Sequence, residues 1–150
     1  MRAVIQRVSF SKVEVEGEVV GEIPQGLMVL LGITHEDNED DIAWMIKKIT
    51  QLRIFNDEAE KMNLSVQDVG GDILVISQFT LYANAKKGNR PSYIRSAPPD
   101  ISIPLYEKFL EQLRVSFSGK VATGEFGASM QVSLLNNGPV TIILDSREDF

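Results

Sequence analysis

The sequence contains no cysteine and only one histidine, His35, in 150 residues. The absence of cysteine excludes disulfide bonds and thiolate catalysis, and it is consistent with a reducing compartment. A single histidine, with no paired ligands at metal-binding spacing, predicts no metal site. His35 lies in a polar stretch with no evident partner, so the sequence gives no sign of a catalytic triad built on it.

Signals for membrane insertion and secretion are also missing. Residues 1–7 lack the uninterrupted apolar core of a signal peptide, and no apolar run approaches the length that spans a bilayer. We therefore expect a cytoplasmic protein with no membrane partner. The net charge of −6 argues against a protein that grips long nucleic acids by their backbone, but it leaves room for a local basic site that binds a nucleic-acid end.

Length and hydrophobic patterning predict one domain, residues 1–150, of the α+β class. The chain opens with three predicted strands that form a β-meander, at residues 1–15, 19–23 and 27–33. The full predicted order is β-β-β-α-β-α-β-β. This order predicts a mostly antiparallel, curled, barrel-like sheet packed against two main helices.

Apolar residues at helical spacing predict the two helices around residues 42–49 and 106–117. Acidic residues ahead of the first helix favour its N-terminus through capping and the helix dipole. The second helix is expected to be capped by Ser102 or Asp100, with Pro104 in its first turn.

The stretch 73–82 combines a buried strand with a polar exit. Its first four residues are apolar and rich in β-branched side chains, as in a strand buried on both faces. Ser77, Gln78 and Thr80 then place hydroxyl and amide groups at the strand end, with Phe79 among them. Such groups can reach a cleft, but they also serve simply to hydrogen-bond the backbone where a strand ends. Both interpretations stay open at this point.

The following stretch, residues 83–95, contains cations and no acidic residue, a local reversal of charge in an acidic chain. Glycine and proline within it exclude a regular helix. It is either a solvated loop or a flexible basic flap that meets phosphate and offers an aromatic ring for stacking. The residues that would make these contacts are Lys86, Lys87, Arg90 and Tyr93.

Residues 136–139, Asn-Asn-Gly-Pro, are a turn signal between two predicted strands. A hairpin turn is the simplest interpretation. In the alternative, a cis Gly138–Pro139 bond aims two backbone carbonyl groups the same way, with no glycine side chain to obstruct them. Arg7, amid apolar neighbours, is either a solvent-facing strand residue or an inward one whose guanidinium holds carbonyl groups or a carboxylate.

Two motifs together resemble the signatures of the D-aminoacyl-tRNA deacylase family, also called D-tyrosyl-tRNA deacylase. They are SQFTLY at residues 77–82 and NNGPVT at residues 136–141. Residues 1–8 and the loop 87–92 look like the same family. The resemblance covers essentially the whole chain, with both motifs intact and in order.

This resemblance implies the fold of that family and a homodimeric cytoplasmic enzyme that needs no cofactor. The implied reaction is hydrolysis of the ester between a D-amino acid and the terminal ribose of tRNA. The resemblance also implies that the Gly138–Pro139 bond is cis, that Arg7 steadies this turn, and that each subunit places the turn in its partner's site. Residues 83–95, which we call the basic loop, are then the expected contact with the tRNA end.

A gate of backbone carbonyl groups would explain why the family hydrolyses D-aminoacyl esters and spares L-aminoacyl esters. Two rigid carbonyl groups at the α-carbon accept the ammonium group of a D-residue, whereas an L side chain would collide with them. Glycine has no side chain to collide, so glycyl-tRNA, including glycine mischarged on the tRNA for alanine, is expected to be hydrolysed as well.

The candidate catalytic residues are Ser77, Gln78, Phe79 and Thr80. Backbone N–H groups near Phe79 and Thr80 are suited to an oxyanion hole, and the 2'-hydroxyl of the tRNA is suited to assist the attack of water. The rival mechanism makes Thr80 a covalent nucleophile. Two other functions remain open: a noncatalytic protein that binds the tRNA 3' end, and a plain esterase or peptidase that needs no RNA.

Overall fold

The computed structural model describes residues 1–149, and the 14-residue strand β1, Arg2–Val15, organises its sheet. β1 pairs antiparallel with three other strands. These are β2 (Glu18–Ile23), β3 (Gly26–Gly32) and β8 (Gln131–Asp145). The three predicted opening strands are confirmed, but their arrangement as a meander is wrong, because β2 and β3 both pair with β1 and not with each other.

β6, Asp72–Ser77, extends the sheet beyond β3 and lies parallel to β3 and to β7, Val121–Thr123. The sheet is therefore mixed, a detail that the sequence did not indicate. β2 and β7 approach so closely that a Cβ atom at Gly21 would collide with the Thr123 carbonyl oxygen. This approach makes the sheet nearly closed and confirms the predicted curled, barrel-like architecture. A separate small ribbon pairs β4 (Phe55–Asn56) with β5 (Met62–Leu64).

The apolar run of β6 is buried on both faces because the sheet separates two cores. Ile73 and Val75 pack in the core between the sheet and the helices, whereas Leu74 and Ile76 pack inside the barrel. Successive side chains of a strand point to opposite faces of the sheet, so β6 packs into both cores at once and its register is fixed. The end of β6 at Ser77 is thereby fixed against both layers.

Two helices cover one face of the sheet. α1, Glu39–Gln51, begins with a capping box in which Asn38 is the N-cap and Asp41 bonds back to its backbone N–H. α2, Pro99–Ser116, begins earlier than predicted. Among residues 1–149, no helix combines the length and apolarity needed to cross a bilayer.

The predicted capping of α2 is wrong. Neither Ser102 nor Asp100 caps the helix, because Pro99 occupies its first turn, where the missing N–H of proline needs no acceptor. The residue before it, Pro98, is the N-cap and offers no side-chain hydrogen bond. Pro104 consequently lies inside the helix, where it removes one helical hydrogen bond.

The hairpin interpretation of residues 136–139 is also wrong. β8 runs on as one strand, because β1 is long enough to pair with it on both sides of the turn signal. Gln6 pairs with Thr141 and Val8 pairs with Asn136, so residues 137–140 form a bulge opposite a single residue of β1. We call residues 137–140 the Gly138 bulge. Its Gly138–Pro139 bond is cis.

Arg2 ties the end of β8 to the segment that follows β6. Its Nε atom donates to the Asp145 carboxylate at 2.8 Å, and its Nη1 atom donates to the Leu81 carbonyl at 3.0 Å. The same guanidinium lies 4.8 Å from the ring centroid of Tyr82. This contact fixes the far end of the SQFTLY segment to β1 and β8.

The hydrogen bond between Arg2 and the Asp145 carboxylate depends on pH. Burial alone raises the pKa of Asp145, but hydrogen bonds from the Arg147 N–H, the Arg2 side chain and the Glu148 N–H outweigh burial and lower it. The carboxylate therefore stabilises the fold above the unfolded-state pKa, about 3.9, and loses this contribution as pH falls through the lower folded value.

We predict that Asp145→Asn lowers the free energy of unfolding at pH 6 by about 1–3 kcal/mol, because charged hydrogen bonds are lost. The difference from the wild type should narrow as pH falls below about 4, because the unfolded state takes up the proton first and the folded carboxylate follows only at its lower pKa. Urea denaturation at both pH values measures this. A difference that stays constant between them would contradict the assignment.

Candidate active site

An open cleft of about 280 Å³ lies at the edge of the sheet where the parallel strands β3 and β6 both end. Polar groups come from the exit of β6 and from the first turns of α2, and apolar groups come from the chain that leads into β8. The lining residues are Leu31, Ile33, Ile76, Ser77, Gln78, Phe79, Ala97, Ser102, Phe126, Gly127, Ala128, Met130 and Val132.

The structure brings three of the four candidate catalytic residues to this cleft. Ser77, Gln78 and Phe79 line it, whereas Thr80 does not. The Thr80 hydroxyl instead accepts a hydrogen bond of 2.5 Å from the Gln78 side-chain amide. Thr80 thus contacts a residue of the cleft wall, and its oxygen faces an amide donor rather than a base.

Backbone donors are available at the same point. Phe79–Tyr82 forms a single 3-10 turn after β6. The first N–H groups of a helical turn have no acceptor within the turn, and Phe79 and Thr80 hold these positions. The turn closes only at the Leu81 N–H, which donates to the Gln78 carbonyl at 3.3 Å. This geometry suits the oxyanion hole expected from the sequence.

Within residues 1–149, no titratable side chain lines the cleft. His35 lies elsewhere, with its Nε2 atom 2.8 Å from the Ile94 carbonyl oxygen. In the same part of the chain, no three histidine or acidic side chains converge as metal ligands. The cleft as described therefore offers hydroxyl, amide and backbone groups to a substrate, but no side-chain base.

The basic loop borders the cleft through an aromatic contact. The rings of Phe79 and Tyr93 meet edge to face with centroids 5.2 Å apart, and Phe79 is 58% exposed. A pair of backbone hydrogen bonds between Asn84 and Ser92 closes the loop into a ribbon. Its exposed cations are Lys86, Lys87 and Arg90. A polyanion that enters the cleft would meet this loop.

Arg7 points inward, as one of its two sequence interpretations stated. Its side chain is only 7% exposed. Its Nε atom donates to the Asn137 carbonyl at 3.0 Å and its Nη1 atom donates to the Ile54 carbonyl at 2.7 Å. Arg7 therefore fixes the Gly138 bulge to the chain that follows α1.

The Gly138 bulge has a backbone that favours glycine. Gly138 has φ = 131°, and a Cβ atom there would lie 2.9 Å from both the Arg7 Nη2 atom and the Val140 Cγ2 atom. Asn137, Gly138 and Pro139 are exposed, and none of them lines the cleft of its own chain. Within one chain, the two motifs therefore lie in different places.

Sequence reasoning missed the opposite wall of the cleft, which Phe126, Gly127, Ala128 and Met130 form, and it read Ser102 only as a helix cap. The available signal was the glycine-flanked segment before β8, where Gly127 adopts φ = 76°. Nothing in the sequence alone placed this loop across from β6.

Curated proteins of high similarity span the full chain. The D-aminoacyl-tRNA deacylase of Fusobacterium nucleatum is 58% identical over 99% of this chain and 97% of its own length. The D-aminoacyl-tRNA deacylase of Thermosipho africanus is 58% identical over 100% of both chains.

Solved structures share the fold of this chain. One, titled c-Myc DNA Unwinding Element Binding Protein, has a TM-score of 0.94 and 43% identity over 99% of this chain and 100% of its own. Another, a probable eukaryotic D-amino acid tRNA deacylase, shares the fold with a TM-score of 0.81 at 17% identity, covering 95% and 97% of the two chains.

The family model described as D-Tyr-tRNA(Tyr) deacylase matches residues 4–145. This match includes the exit of β6, the basic loop and the Gly138 bulge. The chain therefore belongs to the D-Tyr-tRNA(Tyr) deacylase family of ester hydrolases.

Proposed function

We propose that this protein acts in the cytoplasm and hydrolyses the ester of D-aminoacyl-tRNA to release the D-amino acid and free tRNA. The observation that carries the proposal is a cleft with polar and aromatic groups at a fixed strand end and, within residues 1–149, no titratable side chain. Such a cleft suits a substrate that is already activated, and an aminoacyl ester is one. The cations of the basic loop, Lys86, Lys87 and Arg90, with Tyr93 for stacking, would hold the RNA end.

In the proposed reaction, water attacks the ester carbonyl and the neighbouring 2'-hydroxyl of the terminal ribose assists by hydrogen bonding. The N–H groups of Phe79 and Thr80 stabilise the oxyanion of the tetrahedral intermediate. Its collapse breaks the bond to the ribose 3'-oxygen, which takes the proton from the attacking water. Ser77 and Gln78 line the cleft wall and position the substrate beside these donors.

We further propose that the Gly138 bulge of one subunit completes the cleft of its partner in a homodimer. The bulge is exposed, Arg7 holds it, and it lies outside the cleft of its own chain. The carbonyl groups of Gly138 and Pro139 would accept the ammonium group of a D-residue and exclude an L side chain by collision. Glycine would pass this gate, so glycyl-tRNA, including glycine on the tRNA for alanine, is a further proposed substrate.

The proposal is tested by incubating the purified protein with tRNA charged with D-tyrosine or L-tyrosine. We expect D-tyrosine release well above the spontaneous rate, with L-tyrosyl-tRNA spared. Binding of tRNA without release would instead favour a noncatalytic protein that binds the tRNA 3' end. Equal activity on a small tyrosine ester would favour a plain esterase.

We predict that Thr80→Ala retains turnover within about tenfold, because the Thr80 hydroxyl has no base to activate it. A D-aminoacyl-tRNA whose terminal ribose lacks the 2'-hydroxyl should lose about a hundredfold or more in turnover, because the group that orients the attacking water and assists its proton transfer is removed. Single-turnover rates with both tRNAs measure this. If Thr80→Ala abolishes turnover while Thr80→Ser preserves it, the hydroxyl is the nucleophile and the RNA-assisted route fails.

We also predict that Gly138→Ala lowers the ratio of D to L hydrolysis by about tenfold or more, since the new Cβ atom displaces the bulge or Arg7. Ratios of kcat/KM on D- and L-tyrosyl-tRNA measure this, with circular dichroism to verify folding. Gly70→Ala is the matched control, because Gly70 also has a positive φ but lies in a turn with open space around it. An unchanged ratio of D to L hydrolysis in a folded Gly138→Ala protein would contradict the carbonyl gate.

A further inference from the structure

The exposed face of α1 is a second basic surface of this acidic chain. Residues 42–56 contain no aspartate or glutamate but include Lys47, Lys48 and Arg53. Trp44, Lys47 and Lys48 lie on one exposed side of the helix, and Trp44 is 36% exposed. They border a surface hollow of about 430 Å³ that has no acidic lining residue in the described chain. We call this surface the α1 basic face.

Its two lysines are not neutralised. Several other cations form ion pairs, among them Lys108 with Glu39 and Arg147 with Asp41. Across residues 1–149, neither Lys47 nor Lys48 forms an ion pair with a carboxylate, and the Lys48 ammonium lies 5.6 Å from the Trp44 ring centroid. Both charges are therefore available to an anionic partner.

Arg53, the third cation, is partly engaged. It donates to the Asn63 carbonyl at 2.9 Å. Hydrogen bonds from Ser65 lower the pKa of Asp68, and the charge of Arg53 adds to that lowering. The two lysines and the exposed indole are consequently the groups that the α1 basic face offers to a ligand.

The α1 basic face lies beside the Gly138 bulge. Arg7 binds the Asn137 carbonyl of the bulge and the Ile54 carbonyl with one guanidinium group. Ile54 follows Gln51, the last residue of α1, by three residues, which a chain spans in at most about 10 Å. The last turns of α1 are thus close to the bulge.

The same helix runs away from the cleft of its own chain. α1 begins just after β3, at the sheet edge where the cleft lies, and its 13 residues extend for about 20 Å. Lys47 and Lys48 lie near its distant end. They are therefore poorly placed for an RNA in their own cleft and well placed for one that the bulge contacts.

We infer that the α1 basic face binds the phosphate backbone of the tRNA whose 3' end occupies the partner subunit's cleft. The inference rests on the proposed function, in which the bulge enters that cleft. One tRNA would then meet the basic loop of one subunit and the α1 basic face of the other. The basic loop and the α1 basic face both lack acidic residues. If both contact the same tRNA, a chain of net charge −6 can bind a polyanion.

The first test compares Lys47→Gln/Lys48→Gln with the wild type in binding uncharged tRNA over a range of salt concentrations. Each lost phosphate contact should reduce the slope of log Kd against log salt by about 0.7–0.9. KM for D-tyrosyl-tRNA should rise about three- to tenfold with kcat unchanged, because the lysines would contact phosphate groups and not the reacting ester. Arg114→Gln/Lys120→Gln is the control that removes equal charge at the same end of the sheet.

The second test asks which subunit supplies the face. Ala128→Trp fills the cleft, and its homodimer should be inactive. Heterodimers are purified through two different C-terminal tags. When the blocked subunit also carries Lys47→Gln/Lys48→Gln, KM at the open cleft should rise. When the subunit with the open cleft carries them, KM should stay at the wild-type value.

The reverse pattern in the heterodimers would overturn the inference, because the face would then serve its own cleft. An unchanged Kd, salt slope and KM in the double variant would also overturn it and leave the deacylase proposal intact. If instead the wild type releases no D-tyrosine, the proposed function fails. The binding of uncharged tRNA still tests the α1 basic face, since it does not require hydrolysis.

Discussion

The structure around the proposed gate depends on one buried guanidinium. Arg7 holds the carbonyl groups of Asn137 and Ile54, which belong to segments far apart in sequence. Its planar fork of donors suits two fixed acceptors, and neither a lysine nor water would constrain both directions in the same way. The bulge is exposed and interrupts the pairing of β1 with β8. The Arg7 contact and the Asn136 side-chain amide, which donates to the Arg7 and Val140 carbonyl groups, give it a defined position. The same contact brings the end of α1 beside it.

The second constraint is the absence of titratable side chains in the cleft of the described chain. β6 is locked between two cores, so the groups at its exit have fixed positions before substrate arrives. Preorganised N–H donors can stabilise an oxyanion without a base. In the proposed reaction, the reactive ester and the 2'-hydroxyl group of the RNA take the part that a side-chain base would otherwise play.

Sequence reasoning succeeded where local pattern determines structure. The three opening strands, both helices and the polar exit of β6 followed from periodicity and residue type, whereas the pairing of β2 and β3 with the same strand did not. It failed where contacts between segments far apart in sequence determine the local structure. Pro99 displaced the predicted cap of α2, and the length of β1 turned the expected hairpin at Gly138 into a bulge. The cleft wall at Phe126 depends on how the loop before β8 folds back over β6, which no local signal encodes.

The central claim is that the bulge of one subunit meets the cleft of the other. Since the chain has no cysteine, Asn137→Cys in one subunit and Ala128→Cys in another give a pair of unique thiols. On mild oxidation, mixed subunits should form a disulfide between these two introduced thiols across the chains, identified by mass spectrometry of the linked peptides. A dimer that never forms this mixed disulfide, while its subunits exchange freely, would contradict the account.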